Sequence, residues 1–328
     1  MPVAPLSASV SSPEYGGPDS DVASATIDTE RLAGPTMMHP GHLPCAADSG
    51  SACEFISLGS FDDKSGLVGD VSVAQCRRCG FGISLPPLRD VGFLYADRDS
   101  QDFQPETKGF SHRIKGWFFR RQAATLIRQI GGRPASLLDF GCGSGQFTRC
   151  LGDLIGPEHV TGSDFHEEPP EELSGRAYLP AATRGNRKGT FDTVIAMHVL
   201  EHDDDAAALL EQIVSMARTG GTIVVEVPNI QCVWTRILGR NWDAWYLPYH
   251  RTHFSRPALR ALMTRAGLKI VAEQDVCVPT MGRSLANMFG APSSLFFLLV
   301  GAALHPVQWL GEKMTGEASA IRIIARRD

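Results

Sequence analysis

The stretch Leu137-Leu-Asp-Phe-Gly-Cys-Gly-Ser-Gly145 decides the fold class of this 328-residue chain. A short apolar strand runs directly into three alternating glycines, which allow a ligand to lie against the backbone at a strand-to-helix turn. A dinucleotide site would need Gly-x-Gly-x-x-Gly, but Gln146 and Thr148 occupy the third glycine position in the two available registers. The loop therefore predicts a ligand site at the carboxyl end of a strand, without the dinucleotide pattern.

Apolar strands alternate with helices around this loop. The predicted strands are 136–140, 160–164, 191–197, 222–227, 268–272 and 320–325. The predicted helices are 118–130, 206–218 and 256–266, with one acid of 203–205 and Ser255 as N-caps of the last two. Nearly continuous apolar strands joined by helices are typical of a sheet that is covered on both faces. The pattern predicts an α/β fold with a doubly wound, mostly parallel sheet.

Composition restricts the partners and the compartment. The net charge is −5 and the pI about 6.1, so no general basic field attracts nucleic acid; we expect no DNA partner and disfavour RNA. Eight cysteines are too few for a disulfide scaffold, and no Lys or Arg precedes Arg31 as a signal peptide would require. The longest apolar run, Leu295 to Leu304, is shorter than the roughly 18 residues of a spanning helix. We expect a cytoplasmic protein without a transmembrane span.

The chain divides into three parts by composition. Residues 1–40 are rich in Ser, Pro, Ala and Gly and are expected to form a disordered tail. Residues 41–105 hold four of the cysteines, which favours a small separate segment. Residues 110–328 carry the alternating pattern and form the main domain.

The main domain resembles class I S-adenosylmethionine-dependent methyltransferases. Leu138 to Gly145 reproduces the first motif of that family residue by residue. The stretch 191–202 is similar to the family's fourth-strand motif, and 220–228 to its fifth strand. The resemblance implies a seven-stranded Rossmann-like methyltransferase sheet, with S-adenosylmethionine as cofactor.

The resemblance also implies the cofactor residues. Asp139 and the backbone of the glycine loop would surround the methionine part, and Asp164 would accept both ribose hydroxyls. The complete expected set is Asp139, Gly141, Cys142, Gly143, Ser144, Gly145, Asp164, Phe165, Met197 and His198. The family often has an acid after the third strand that contacts adenine, but none lies between Tyr178 and Asp192. The adenine contact is therefore unassigned.

Three histidines are the candidate catalytic residues. A sulfonium methyl group is already activated, so a base is needed only where the acceptor carries a weakly acidic proton. The resemblance places Leu200-Glu-His202 at the mouth of the site, although Glu201 and His202 could instead brace the turn. His250 and His253 follow the fifth strand, and His253-Phe-Ser is a pattern found in one branch of the family.

Aromatic residues are concentrated in the same region. Three of the five tryptophans lie between positions 234 and 245. This density predicts an aromatic lid over the acceptor at 229–254, and the alternative is a packed satellite core under a long loop.

Cys76-Arg-Arg-Cys79-Gly has the spacing of a zinc knuckle. The branch with the His-Phe-Ser pattern often begins with a zinc-ribbon-like segment, whose second knuckle this stretch resembles. Cys45 and Cys53 are the nearest further ligands, although their spacing is wider than a usual knuckle, and His39 and His42 are substitutes. A redox role is disfavoured because no thioredoxin-like strand and helix frame the pair.

The apolar stretch 291–310 is interpreted as a buried or homodimer-forming helix, with weak peripheral membrane contact as the alternative. The predicted function is methyl transfer to an oxygen, or a carbon, of a small-molecule acceptor. Sugars, quinone- or polyketide-like compounds and lipid-linked metabolites are the acceptor classes considered. The alternatives are a zinc-ribbon RNA methyltransferase and a non-catalytic scaffold that retains the fold.

Overall fold

The computed structural model describes residues 45, 53–88, 90–95, 110–292 and 294–328. The tail predicted at 1–40, and the substitute ligands His39 and His42, lie outside these described residues.

A small antiparallel sheet opens the described part of the chain. Its strands are β1 (Phe55–Phe61), β2 (Val71–Cys76) and β3 (Gly82–Leu85). A two-residue strand from much later in the chain, 252–253, pairs with β3 and completes it. The small sheet is therefore built from both the cysteine-containing segment and the aromatic-rich segment.

Seven further strands form the large sheet. The remaining strands in chain order are β4 (Leu137–Phe140), β5 (Val160–Ser163), β6 (Ala177–Tyr178), β7 (Phe191–Met197), β8 (Ala217–Pro228), β9 (Thr252–His253, in the small sheet), β10 (Leu268–Val276) and β11 (Ala320–Arg327). The order across the large sheet is β10-β11-β8-β7-β4-β5-β6. Neighbours from β8 to β6 are parallel, while β11 is antiparallel to both of its neighbours. The predicted doubly wound, mostly parallel seven-stranded sheet is confirmed.

The helices cover this sheet and connect its strands. They are α1 (Phe110–Gln129), α2 (Gln146–Ile155), α3 (Ala206–Met216), α4 (Val233–Leu238), α5 (Arg256–Arg265), α6 (Met281–Met288) and α7 (Leu295–Thr315). Asp205 caps α3 by accepting the Ala208 N–H, and Ser255 caps α5 by accepting the Ala258 N–H. Both helices therefore begin where a side-chain oxygen can satisfy an unpaired backbone donor.

Two boundaries differ from the sequence prediction. Helix α1 begins at Phe110 rather than at 118, and its first turns, which have no apolar period of their own, contact α2 where Gln146 donates to the His112 carbonyl at 3.1 Å. Helix α3 ends at Met216, and β8 begins before the glycine pair at 220–221 that was predicted to be a turn. Gly220 has a φ of 72°, so glycine accommodates an irregularity inside the strand pair instead of ending it.

The cysteine-containing segment shares a hydrophobic core with the main domain, and its separate folding stays a prediction. Phe55 and Phe81 belong to the same buried cluster as Leu138 and Val225 of the large sheet. The Phe81 and Phe254 rings meet at 5.4 Å between centroids. The packing makes one continuous hydrophobic core from both parts of the chain.

The predicted lid is a packed region. Trp242 is 1% exposed and Trp245 5% exposed, and both belong to a second core with Val71 and Val73 of β2. Inward-facing residues of the small sheet supply the surface on which these rings pack. Trp242 and Trp245 therefore belong to a packed satellite core, as the alternative interpretation proposed. Closure of 229–254 over an acceptor stays a prediction.

Helices α6 and α7 form a hairpin inserted between β10 and β11. Helix α7 has 21 residues, its most apolar 18-residue window has a mean hydropathy of 1.3, and 17% of that window is buried. By length and composition alone it is able to cross a membrane. The statement that this stretch is too short is thus corrected, because the helix continues past the apolar run through uncharged residues as far as Gly311. Of the favoured interpretation, a buried or homodimer-forming helix, the buried form is wrong because most side chains of α7 are exposed, and the homodimer-forming helix stays a prediction.

Candidate active site

The glycine loop lies at the carboxyl ends of β4 and β5. The N–H groups of Gly141 and Cys142 both donate to the Ser163 carbonyl, at 2.7 and 3.0 Å. Gly141, Gly143 and Gly145 all have φ between 50° and 76°, a region that favours glycine. A Cβ on Gly141 would lie 2.5 Å from Cγ2 of Val199. The loop can therefore pack against the segment that follows β7 only because Gly141 has no side chain.

Asp164 follows β5 and borders this loop. Its Oδ2 accepts the Gly143 N–H at 2.8 Å, and its Oδ1 accepts the Phe165 N–H at 2.8 Å. A carboxylate has about four acceptor positions, so these bonds orient Asp164 and leave capacity for two hydroxyl donors. The Phe165 ring beside it is 56% exposed. Open glycine backbone, an oriented carboxylate and an exposed ring fit the ribose and methionine parts of S-adenosylmethionine.

Asp139 lies beneath the loop and is 2% exposed. Burial raises the pKa of its carboxyl group to about 7, against the effect of a 2.6 Å hydrogen bond donated by Thr148. Asp164 nearby raises the pKa further. In the sequence, Thr148 was informative only because it occupies a position where a dinucleotide motif would have glycine. In the structure, its hydroxyl group orients the carboxyl group of Asp139.

Arg184 occupies the region after the third strand where the family's acid was sought. Its Nε donates to Oγ of Ser163 at 2.7 Å, and its guanidinium lies 4.2 Å from the centre of the Phe140 ring. Burial lowers its pKa, while Asp164 raises it. A cation therefore stands at the carboxyl ends of β4 and β5, and nothing in the residue spacing marked Arg184 for that place.

His198, at the end of β7, is held by two buried glutamates. Its Nδ1 lies 3.2 Å from Oε1 of Glu201 and its Nε2 lies 3.1 Å from Oε1 of Glu226. Burial would lower its pKa, but the two carboxylates raise the pKa to about 10. Arg322 donates its Nε to the other oxygen of Glu226 at 2.7 Å. His198 is thus an imidazolium in a charged network at neutral pH, which makes it a poor proton acceptor.

His202 meets residues from two distant segments. Its Nδ1 lies 2.7 Å from the Tyr95 hydroxyl and 3.2 Å from the Tyr249 carbonyl oxygen. The Tyr95 ring also lies 6.0 Å from that of Phe165, centroid to centroid. Tyr95 therefore connects the cofactor side of the site to the candidate base. Tyr95 was missed in the sequence because it belongs to an isolated turn of the N-terminal segment without a motif.

His250 packs on His202 at 4.8 Å between ring centroids. Its Nδ1 lies 2.8 Å from the Ala244 carbonyl, which requires the Nδ1–H tautomer. Burial, followed by the neighbouring His202 and His253, lowers its pKa well below the ordinary value. His250 is therefore a neutral imidazole beside the base candidate.

His253 is tied into the small sheet. Its Nε2 lies 3.0 Å from Oγ of Ser84, and that hydroxyl donates to the His250 carbonyl at 2.6 Å. Burial and Arg251 lower the pKa of His253 to about 3. The contacts give His253 a structural role in joining β3 to β9, and contact with an acceptor stays a prediction for it.

Two buried polar atoms near these histidines lack a hydrogen-bond partner. Oε2 of Glu201 and Nε1 of Trp242 are both unpaired among the described residues, although both side chains are fully buried. Glu201, Trp242 and His250 line one small enclosed cavity. The cavity thus offers one acceptor and one donor next to the candidate base.

Three of the four predicted metal ligands converge. The sulfur atoms of Cys45, Cys76 and Cys79 all lie within 4.8 Å of one another, and those of Cys45 and Cys79 are 3.3 Å apart. The hydrogen bond from Cys45 lowers the pKa of Cys79 to about 6. Cys53 is buried in the same core but lies outside that group of three. Three clustered thiols suit Zn²⁺, which prefers four-coordinate sulfur and nitrogen sites.

Comparison with known proteins identifies the main domain. The family described as "Methyltransferase domain" matches residues 110–273, which is half of the chain. A protein named ubiquinone biosynthesis O-methyltransferase, from Xanthomonas euvesicatoria, is 28% identical over 151 residues. That alignment covers 42% of this chain and 63% of the relative, so the chain spans less than two thirds of that relative.

Two further similarities cover more of the chain. A protein of Mycolicibacterium smegmatis, named as a probable S-adenosylmethionine-dependent methyltransferase, is 25% identical over 218 residues, 63% of this chain and 79% of the relative. A Burkholderia thailandensis 1,6-didemethyltoxoflavin-N1-methyltransferase, solved with S-adenosylhomocysteine, is 18% identical with a TM-score of 0.44. It covers 76% of this chain and 96% of its own.

Proposed function

The chain belongs to the class I S-adenosylmethionine-dependent methyltransferases, and from that premise we propose that it methylates a hydroxyl oxygen of a small, flat, quinone-like acceptor. The observation that carries the proposal is the contact of His202 with Tyr95 at the end of β7, beside the cofactor loop. The relative named as a ubiquinone O-methyltransferase supports the oxygen and the acceptor class.

The aromatic surroundings of His202 support a flat acceptor. The rings of Tyr95 and Tyr249 meet at 5.6 Å between centroids, and Tyr246 stacks on Tyr249 at 4.8 Å. Aromatic walls bind planar rings by offset or edge contacts, and their hydroxyl tips orient polar substituents. An acceptor ring held between Phe165 and Tyr249 would place a hydroxyl group near His202.

His202 is the base in this proposal. The proposal requires the tautomer with hydrogen on Nδ1, which the Tyr249 carbonyl and the Tyr95 hydroxyl both accept, and this tautomer leaves the lone pair on Nε2 to take the acceptor's proton. S-adenosylmethionine held by the glycine loop and Asp164 would supply an activated methyl group for transfer to the acceptor oxygen, and His202 would take the proton that this oxygen loses. Tyr95 holds the ring of His202 in place, and His198 and Glu201 fix the backbone turn that precedes it.

The test compares His202→Asn with Tyr95→Phe, using S-adenosylmethionine and a dihydroxybenzoate as acceptor. General-base catalysis contributes about 10²–10⁴-fold, so His202→Asn should lower kcat at least about 100-fold. Tyr95→Phe should lower kcat less, because only orientation is lost. Both variants should bind S-adenosylhomocysteine as the wild type does in calorimetry. Undiminished kcat in His202→Asn would refute the assignment of the base.

Cofactor binding is tested independently of the acceptor. Asp164→Ala removes the carboxylate proposed to accept the ribose hydroxyls, and the expected result is at least about a 10-fold loss of affinity for S-adenosylhomocysteine. Asp153→Ala, on the exposed side of α2, is the matched control. Equal affinities in the two variants would exclude Asp164 as the ribose ligand.

We also propose that Cys45, Cys76 and Cys79 hold a structural zinc ion. Cys53 and the two histidines at 39 and 42 are the candidates for the fourth ligand. Metal analysis should find about one zinc ion per purified chain. The zinc content should be lower in Cys79→Ser but unchanged in the control Cys277→Ser, because Cys277 lies outside the cluster. Wild-type protein without zinc, prepared without chelators, would contradict the proposal.

The cytoplasmic location stays a prediction, and so does the expectation that RNA is not the acceptor. Activity on RNA, with none on hydroxylated aromatic compounds, would favour the zinc-ribbon RNA methyltransferase alternative.

A further inference from the structure

The hairpin of α6 and α7 presents an unusually apolar surface. Phe289 is 71% exposed, Phe296 67% and Met314 80%. The other large apolar side chains exposed on the hairpin are Met288, Leu295, Leu298, Leu299, Val307, Trp309 and Leu310. An exposed set of this size is rarely found on a monomeric soluble protein without a binding partner.

The apolar surface continues onto α1. The Phe118 ring of α1 lies 6.2 Å from that of His305 on α7, centroid to centroid. Trp117 beside it is 53% exposed, and an open groove of about 490 Å³ passes between Arg113, Ile114 and these two rings. We name the exposed side chains of α1, α6 and α7 together the helical face.

The charge of the helical face is opposite to that of the whole chain. Helices α1 and α6 contain no acidic residue, and the single acid of α7, Glu312, is 4% exposed. The exposed cations of α1 are Arg113, Lys115, Arg120, Arg121 and Arg128. Two of them lie beside the apolar surface: Arg113 lines the groove, and the Arg121 guanidinium lies 4.8 Å from the centre of the Trp117 ring. In a chain with a net charge of −5, these cations form a local basic border on that surface.

We propose that the helical face docks on the surface of an anionic lipid bilayer, with α7 lying in the interface. Exposed Trp and Phe together with Arg and Lys are the residues favoured at the boundary between headgroups and acyl chains. Anionic lipids attract the basic border, and the apolar side chains enter the bilayer once they are desolvated.

The connections of α7 favour an interfacial position over a spanning one. Val276 at the end of β10 pairs with Ala320 at the start of β11, so the hairpin leaves and returns at one point of the sheet. One spanning helix would place its ends on opposite sides, and the eight-residue α6 is too short to cross back. A helix held along the bilayer plane satisfies both connections.

Contacts with the body fix the orientation of α7. Trp234 donates its Nε1–H to Oε1 of Glu312 at 2.9 Å, and Gln308 donates to the Val278 carbonyl at 2.7 Å. These bonds use the polar side of the helix. The apolar side is left facing outward over its whole length.

Charge argues against a second copy as the occupant. A two-fold interface brings the same surface of each subunit together, so both copies would add the same excess of cations to one interface. Like charges opposed at an interface are unfavourable, whereas an anionic bilayer neutralises every cation at once.

The experiment measures binding of the full chain to preformed vesicles. Vesicles of equal parts phosphatidylglycerol and phosphatidylcholine should bind the protein at low salt, and vesicles of phosphatidylcholine alone should bind it much more weakly. Phe296→Glu with Leu299→Glu should abolish binding. Val271→Glu is the matched control, since Val271 is 60% exposed on β10, outside the helical face, and should bind as the wild type does.

A second variant tests the basic border. Arg113→Glu with Arg121→Glu should weaken binding at least about 25-fold, because each cation near an anionic surface contributes about fivefold in affinity. Methyl transfer to a soluble acceptor should be unchanged in all these variants, which distinguishes failure of this proposal from failure of the proposed function. Absence of vesicle binding by the wild type would overturn the proposal. If vesicles do not bind, two results would identify another partner. A dimer in the absence of lipid that is dissociated by Phe296→Glu with Leu299→Glu would identify a second copy of the chain. RNA binding that is lost in the variant of the basic border would identify RNA.

Discussion

Gly141 is the position of the cofactor loop with least space for a side chain. Its φ is 76°, and a Cβ would meet Val199 at 2.5 Å, so alanine brings backbone strain and a steric overlap together. Gly141→Ala should cost about 2–4 kcal/mol of the free energy of unfolding and abolish cofactor binding. The measurement is denaturant unfolding together with calorimetric titration of S-adenosylhomocysteine.

The control for this prediction is Gly185→Ala. Nothing lies within 4 Å of a Cβ built at Gly185, and its φ is not positive, so stability and binding should stay near the wild-type values. Equal effects of the two substitutions would show that the loop tolerates a side chain at Gly141.

Two titratable groups of the site make stability depend on pH. The folded-state pKa of Asp139 is about 7 against an ordinary 3.8, so its contribution to stability is fully present below about pH 4 and is lost as the pH rises to 7. The folded-state pKa of His198 is about 10 against 6.5, so its contribution is fully present below about pH 6.5 and is lost as the pH rises to 10. Stability of the cofactor-free protein should therefore decrease across both windows.

The two windows are separable by substitution. Asp139→Asn should remove the slope between pH 4 and 7, and His198→Gln the slope between pH 6.5 and 10, in urea unfolding at a series of pH values. A slope that persists in both variants would assign the pH dependence to other groups.

At the scale of elements, the contact between α6 and α7 depends on two glycines. A Cβ on Gly301 would lie 2.8 Å from the backbone nitrogen of Gly282, so Gly301→Ala forces the helices apart. Overpacking of this kind costs about 1–3 kcal/mol, and we expect that loss in thermal unfolding. Ala303→Gly, at an exposed position of the same helix, should cost no more than about 1 kcal/mol and is the comparison. A neutral Gly301→Ala would mean that the two helices are not in close contact.

At the scale of the whole molecule, Arg251 joins the two sheets. It is fully buried, it pairs with Asp204 at 3.1 Å, and it donates to the carbonyls of Ser84, Pro86 and Pro248. Removing one member of a buried charged network is strongly destabilising, so Arg251→Met should cost about 3–5 kcal/mol. Unfolding should stay a single transition by fluorescence and circular dichroism, because the small and large sheets share one core.

Arg218→Met is the matched control for Arg251→Met. Arg218 pairs with Asp192 at the surface, and exposed pairs contribute about 0–1 kcal/mol. Two separate transitions in the wild type would show instead that the cysteine-containing segment is an independent domain.

The sequence by itself determined the large sheet and the cofactor loop. Both depend on local order: an apolar strand, then glycines, then a helix, repeated along one continuous stretch with the acid of Asp164 at the next strand end. Local periodicity and close spacing are visible in a linear chain, so six of the seven strands of the large sheet were predicted. The two-residue β6 was missed because so short a strand has no period of its own.

Only the tertiary structure decided which distant segments complete the site. Tyr95, Arg184 and Thr148 carry no motif, yet the fold brings Tyr95 to His202 across more than a hundred positions of sequence. The burial of these side chains could not be predicted from the sequence either. The aromatic-rich segment is part of a core because the small sheet packs against it, whereas most of α7 is exposed because few other residues cover it. Contacts between segments far apart in the chain, and the water excluded by them, are properties of the folded molecule rather than of any local pattern.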